Sequence, residues 1–508
     1  MFRKKLFAAA FASALAMGGA AAQADKADDT LRIAWGVDGV MVNADNYYGA
    51  TRSGIWFTKM VWDTPIYRDP KTGEYKPNLA TSWAWVDDTT LELKLRKGVK
   101  YHNGEPFDAD DVVYTYNTVS AADSGVKFGR IVNWIDHVEK IDQYTVRIHT
   151  KGPFPQALEF LAGPMPIYPN EYYAEVGTRG MSNNPVGTGP YKVVKMKPGE
   201  EYTLVRNDDY TWGSPKGMAR IKNVIVREIP DVQTQVAELI SGGIDVTADL
   251  TPDLVSKLQG TPGVTAKMAE TLRIFYMGMD ASGRTKFAPI QKLKVRQAIS
   301  HAIDRKAIVD NLFGGAPRVV NTPCHPLQFG CDESAAVKYD FDLDEAKKLM
   351  AEAGYPDGFK VDLYAEAPAH EAEAIMGDLS KIGIKAELHR LPWEAYRDAQ
   401  MSNKAPMWLT NWGSYSLADA SASISVFFNG SEDDFAQDKE LIGWLKVADT
   451  DTDPNVRKEY YAKAIKRITS RAYILPTFSG VRSYGWDSNL NFTPYADEIP
   501  RFYEYSWR

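Results

Sequence analysis

FKVDLYAEAPAHEAEAIMGDLSKIGIKAELHRLPWEAYRDAQMSNKAPMWLTN, residues 359–411, is the stretch whose reading decides the fold. Residues 359–365 read as a strand and 370–382 as a helix. Residues 384–391 read as a second strand, 393–402 as a second helix and 407–411 as a third, more apolar strand. Strand, helix, strand, helix, strand predicts a parallel sheet with right-handed crossovers. In open α/β sheets ligands bind beyond the carboxyl ends of the strands. The segment NWGSYSLADAS, residues 411–421, starts at such an end and fits neither a helix nor a strand period. Its position makes it a candidate ligand loop.

The amino terminus carries a different signal. Arg3, Lys4 and Lys5 precede an apolar run over 6–17, and small residues lead to Ala22-Gln23-Ala24 before Asp25. This order predicts a cleaved secretory signal peptide over residues 1–24. The run is shorter than the roughly 20 apolar residues a membrane span needs. No Cys follows it, so lipid attachment at an N-terminal Cys is not expected. The whole chain has 59 Lys and Arg against 66 Asp and Glu, net −7; without residues 1–24 the balance is 56 against 66, net −10. No basic block follows Lys5, so nucleic acid and anionic membrane surfaces are poor partners.

A mature chain of this length predicts two or three domains. No fixed-period repeat and no low-complexity linker is present, so the domains are expected to be joined by crossing strands. The two cysteines, Cys324 and Cys331, flank a Pro- and Gly-containing loop. In an exported chain they predict a disulfide. A metal site is the sharper alternative, but with His325 the set is one ligand short of a closed zinc site. No metal is expected, and the short loop places the bridge's contribution on the order of 2 kcal/mol.

Elsewhere, residues 31–35 and 90–96 alternate as strands. Asp108 reads as a helix cap with Asp110 and Asp111 in the first turn, which accounts for this acidic cluster without calcium. A helix is predicted over 294–313, ended by Gly314-Gly315. Further helices are predicted after Asp342 and after Asp453-Pro454.

Catalytic patterns are missing. None of the seven His has zinc-helix spacing, and no nucleophile elbow, Walker loop or dinucleotide fingerprint occurs. Gly187-Thr188-Gly189-Pro190-Tyr191 is Gly-rich, but Pro190 lacks the N–H a phosphate cradle would use, so it reads as a rigid turn. The chain is read as non-enzymatic and without a cofactor. Its aromatic content is high, with 13 Trp and 27 Tyr. Trp35, Tyr47, Tyr48, Trp393, Tyr396, Trp412 and Tyr415 fall outside clean periodic segments, and such side chains suit a wet ligand cleft.

Several blocks, in order, resemble the extracellular solute-binding proteins of ABC importers, family 5, the peptide and nickel class. They are Arg96-Lys97-Gly98-Val99-Lys100-Tyr101-His102 with Gly104-Glu105-Pro106-Phe107 and Asp110-Asp111-Val112-Val113; Pro185-Val186-Gly187-Thr188-Gly189-Pro190-Tyr191; Val295-Arg296-Gln297-Ala298-Ile299 with Ala302-Ile303-Asp304-Arg305; and Glu345-Ala346-Lys347-Lys348-Leu349 through Ala353-Gly354-Tyr355-Pro356.

The resemblance implies an α/β, two-lobed periplasmic binding protein (class II, large cluster with an extra subdomain) with its ligand cleft between the lobes. Lobe I would comprise 25–271 plus 478–508, and lobe II 272–477, with crossings near 272–279 and 475–484. It implies a periplasmic monomer that binds a short peptide or peptide-like solute and delivers it to an inner-membrane ABC permease. Opines, oligosaccharides and metal chelates are the alternative ligands, and a secreted hydrolase on a similar scaffold is the alternative class. Peptide-binding members clamp the ligand's α-amine with an Asp three residues after a loop Trp. The position matching it here, after Trp412, is Tyr415, and Asp419 is seven residues on. No His lies in this loop, which makes nickel-binding members a poorer match. The expected contacts are Trp412, Gly413, Ser414, Tyr415 and Asp419, with Trp393, Tyr396 and Tyr47 from elsewhere.

Overall fold

The computed structural model describes residues 28–36, 43–49, 52–127, 129–366, 369 and 371–508. The expected signal peptide and His370 lie outside the described residues. Phe359–Glu366 pairs in parallel with Ile384–Leu391 on one side and Met407–Trp412 on the other. Helices Ala372–Ser380 and Trp393–Met401 make the two crossovers. The strand–helix alternation read from the sequence is therefore the architecture of this region, with element ends shifted by a residue or two.

These three strands form one end of a ten-stranded sheet. Its order runs Ile384–Leu391, Phe359–Glu366, Met407–Trp412, Val264–Met279, Ile474–Asp487, Val246–Ala248, Thr30–Trp35, Asn223–Glu228, Glu201–Arg206, Tyr191–Lys197. At its middle, Val264–Met279 and Ile474–Asp487 pair antiparallel along most of their length. The register breaks between Glu270 and Ile274, where a bulge bends the pair. Side chains from 31 to 248 and from 484 to 505 build most of one core, and those from 277 to 478 a second. The two long strands run from the first core to the second. A separate four-stranded antiparallel sheet of Ala80–Asp87, Thr90–Leu95, Thr145–Thr150 and Ile135–Asp142 packs into the first core.

Local chemistry sets the ends of the elements. Asp108 accepts from the Asp110 N–H at 2.9 Å, and Asp111 accepts from the Asp108 N–H at 2.9 Å. This reciprocal cap starts helix Ala109–Ser120. The helix expected over 294–313 is two helices, Leu293–Ala302 and Arg305–Phe313. The break has a physical cause: Asp304 accepts from the Ala307 N–H at 2.9 Å and opens a new helix. Gly314, at φ 58°, ends the second helix in the left-handed region that glycine tolerates. The Gly187–Gly189 turn packs on the end of helix Arg52–Val61. A Cβ at Gly187 would lie 2.1 Å from the Val61 carbonyl oxygen. Cys324 and Cys331 are joined by a disulfide, with their Cα atoms 5.9 Å apart. No helix among the described residues is long and apolar enough to cross a membrane.

Candidate ligand-binding site

Strand Met407–Trp412 sorts its side chains by parity. Met407 and Leu409 enter the second core. Trp408, Thr410 and Trp412 point the other way and line a cavity of about 190 Å³ with Tyr276, Tyr396 and Phe435. The Trp408 ring lies across the neighbouring long strand, which is possible because residue 278 is glycine; a Cβ there would sit 2.0 Å from the indole. Tyr396 is buried, and its hydroxyl accepts from Gln400 Nε2 at 2.9 Å. Trp393 stacks on Tyr396 at 6.0 Å and is 48% exposed, so it forms the mouth. Arg397 and Asp433 form an ion pair in the wall. Trp412 donates its indole N–H to the Ala422 carbonyl at 2.7 Å and meets Phe427 edge-on, tying the cavity wall to the loop that follows.

Asn411 is shared with a second, larger cavity of about 830 Å³. This cavity lies over the two long strands. Its walls carry Arg273 and Arg482 from those strands and five carboxylates, those of Asp249, Asp253, Glu366, Glu371 and Glu498. Arg482 is buried between Trp35 and Trp56, 5.4 and 4.9 Å from the ring centres, and clamps Asp249 through two 3.1 Å bonds. Asp249 itself sits at φ 61°, an uncommon backbone state for a non-glycine residue. Arg273 donates to Asn411 Oδ1 at 2.5 Å and reaches Glu498 at 3.3 Å. Glu366 accepts from Thr410 Oγ1 at 2.9 Å, and burial raises its carboxyl above the ordinary range.

Glu371 is only 5% exposed, and burial pushes its carboxyl up to about 7. The folded chain therefore holds this proton more tightly than the unfolded chain, whose value is near 4.5. The resulting destabilisation is absent below about pH 4.5 and grows to its full size above about pH 7. Glu371→Gln is accordingly expected to melt with the wild type at pH 4 and several degrees above it at pH 8. Melting curves of both proteins across that range check this, and a constant offset would refute it.

The expected contact residues separate. Trp412, Trp393 and Tyr396 line one cavity. Gly413 lies against the Arg273 guanidinium, where an added Cβ would be 2.7 Å from Nη2. Ser414 is buried and bonded to Ser423 Oγ at 2.5 Å, so its hydroxyl is directed inward. Tyr415 lies within the 3-10 turn Ser414–Ser416. Asp419 lines neither of these cavities and borders a third, of about 500 Å³, with Glu159 and Arg457. Its carboxylate is buried against Arg457 at 2.8 Å and caps the Ser421 N–H, because a charge at this depth requires a partner. Tyr47 is in the first core, donating its hydroxyl to the Pro166 carbonyl at 2.8 Å and packing on Tyr168. The loop over 413–422 also bonds to two segments far from it in sequence. Ser416 Oγ donates to the Asp497 carbonyl at 2.7 Å, and the Ala418 N–H to Glu159 at 3.0 Å.

Arg273, Arg482, Glu366 and Glu371 were not among the residues expected from sequence. Arg482 had a weak signal, as the only charge inside strand Ile474–Asp487 before its last residue; Arg273 had less, since Lys267 and Glu270 share its strand. Glu366 and Glu371 had none; nothing local separates them from the other carboxylates of the chain.

The α/β fold, with a cleft over two crossing strands and between two cores, defines a two-lobed binding protein of the periplasmic type. The profile of the bacterial extracellular solute-binding proteins, family 5, matches residues 74–435, and the chain belongs to that family. It is 30% identical to heme-binding protein A of Haemophilus influenzae over 379 residues, 67% of this chain and 66% of the relative. It is 26% identical to di/tripeptide-binding protein 1 of Pseudomonas aeruginosa over 66% of this chain and 67% of the relative. The structure of HbpA2 from Haemophilus parasuis superposes with a TM-score of 0.81 at 24% identity, covering 94% of this chain and all of that one.

Proposed function

We propose that this protein is the periplasmic solute-binding component of an ABC importer, taking a peptide or peptide-like solute and delivering it to an inner-membrane permease. The observation that carries the reading is the pair of adjoining cavities, one aromatic and one charged, meeting at Asn411 over the two long strands. A peptide presents both needs: apolar side chains for an aromatic pocket, and charged or polar backbone ends for a polar floor. The names of the relatives above include both heme and di/tripeptides. The division into lobe I (25–271 plus 478–508) and lobe II (272–477) belongs to the same reading, with closure of the two over the solute about the long strands.

Native purification followed by mass spectrometry of released small molecules tests it. Release of intact peptides or peptide-like solutes, and a rise in melting temperature on adding them back, is the expected result. Turnover of an added peptide mixture, or recovery of only non-peptide solutes, would overturn it.

A further inference from the structure

We propose that the solute carries an ammonium or guanidinium group, and that Glu366 and Glu371 receive it in the cleft. This rests on the solute-binding reading above and names the chemical class of the solute. The charged cavity sets two arginines against five carboxylates, a formal −3 (2 − 5). Both arginines are engaged: Arg482 clamps Asp249, and Arg273 is shared between Asn411 and Glu498. A solute carboxylate would have to displace one of these partners.

The glutamates differ. Among the described residues neither Glu366 nor Glu371 makes an ion pair within 4 Å. Glu366 has the Thr410 hydroxyl and feels the field of Arg273. Glu371 is nine-tenths buried in the cavity wall, and its carboxyl has its own backbone N–H as hydrogen-bond partner. The cation nearest in influence, Arg390, is taken by Glu373 at 2.5 Å. A buried carboxylate without a cation is unfavourable unless it is protonated or a cation arrives. Phe275 and Phe478, stacked at 4.9 Å in the same floor, add aromatic faces that attract a cation. A cationic group entering here restores the missing partner and draws the proton off Glu371. The solute's apolar part then extends past Asn411 toward Trp412.

Four probes test this by calorimetry: alanyl-phenylalanyl-alanine, its N-acetyl form, N-acetyl-lysyl-phenylalanyl-alanine, and spermidine. At least one cation-bearing probe is expected to bind tenfold or more tightly than N-acetyl-alanyl-phenylalanyl-alanine, which carries no cationic group. The Glu366→Gln/Glu371→Gln protein should lose that difference. Which lysyl or α-amine probe wins tells whether the ammonium is terminal or on a side chain. Net proton release on binding near pH 7, absent in Glu371→Gln, is a second expected signature. Folding of the double variant is verified by its melting curve, and Glu366→Gln alone, at a half-buried position, serves as the second variant. Equal binding of the peptides with and without a cationic group would overturn the inference and leave the peptide reading standing. Binding of spermidine alone would support the inference and overturn the peptide reading. Failure of all four would overturn both.

Discussion

Replacing Arg457 with alanine is expected to lower the unfolding free energy by about 3–5 kcal/mol, the range for removing one member of a buried ion pair. Arg457 and Asp419 are 7% and 5% exposed and 2.8 Å apart. The guanidinium also donates to the Ala448 carbonyl at 2.8 Å and lies 4.6 Å from the centre of the Phe329 ring. Alanine removes all three interactions and strands the Asp419 carboxylate. The Ser421 N–H at 3.0 Å and the Tyr461 hydroxyl at 3.4 Å cannot replace a charge. Stranding the carboxylate outweighs the lost packing of the arginine stem, because keeping an unpaired charge away from water costs more than losing apolar contacts of that size. Neutralising the survivor should therefore recover part of the loss, so Asp419→Asn/Arg457→Ala is expected to be more stable than Arg457→Ala. Urea unfolding of the single and double variants measures both effects. A single variant within about 1 kcal/mol of wild type, the ordinary worth of an exposed pair, would show that the pair does not anchor the loop. Asp419→Asn alone is expected to act on stability and not on the charge preference of the cleft.

The second large effect is expected at Trp412. Its alanine variant should bind the solute released from the native protein at least roughly 30-fold more weakly, about 2 kcal/mol at the scale of an aromatic anchor. The residue has two roles that alanine removes together. Its ring walls the aromatic cavity beside Phe427, and its N–H holds the Ala422 carbonyl on the far side of the loop. Trp412→Phe keeps a ring and loses the donor, so an intermediate loss separates the two roles. Trp393, exposed at the mouth, should cost less when truncated. Calorimetric titration of the three variants gives the order; an unchanged affinity for Trp412→Ala would remove this cavity from the binding site.

Much of the frame was legible in the residues. The alternating segments between 359 and 411 specified strand, helix, strand, helix, strand, because periodicity reports which faces are buried without knowledge of the partner. The caps at Asp108 and Asp342, and the stop at Gly314, follow from chemistry spanning three or four residues. The reading failed where two local signals competed. The apolar stripe over 294–313 is continuous, yet Asp304 caps a new helix inside it.

The site divides along the same line. Trp412, Trp393 and Tyr396 could be singled out, since aromatic residues at strand and helix boundaries are visible in one dimension. Tyr47 stands out for the same reason, and Asp419 as the carboxylate that follows Trp412 in the loop; the structure commits Asp419 to Arg457 and Tyr47 to the first core. Arg457 lies 38 residues from Asp419, and Pro166 lies 119 from Tyr47. No local pattern announces partners so far along the chain.

By itself, then, the sequence determined the α/β alternation, the family and a loop at a strand's carboxyl end. Each depends on neighbours within a helical turn or a pleat, or on blocks of residues kept in order. Which carboxylates face the cleft with a cation and which without was decided only by the tertiary structure. Arg482 meets Asp249 across 233 residues, and Arg273 meets Glu498 across 225. Charge balance in a cavity is a sum over groups that only folding brings within a few ångströms, where Coulomb energies become large.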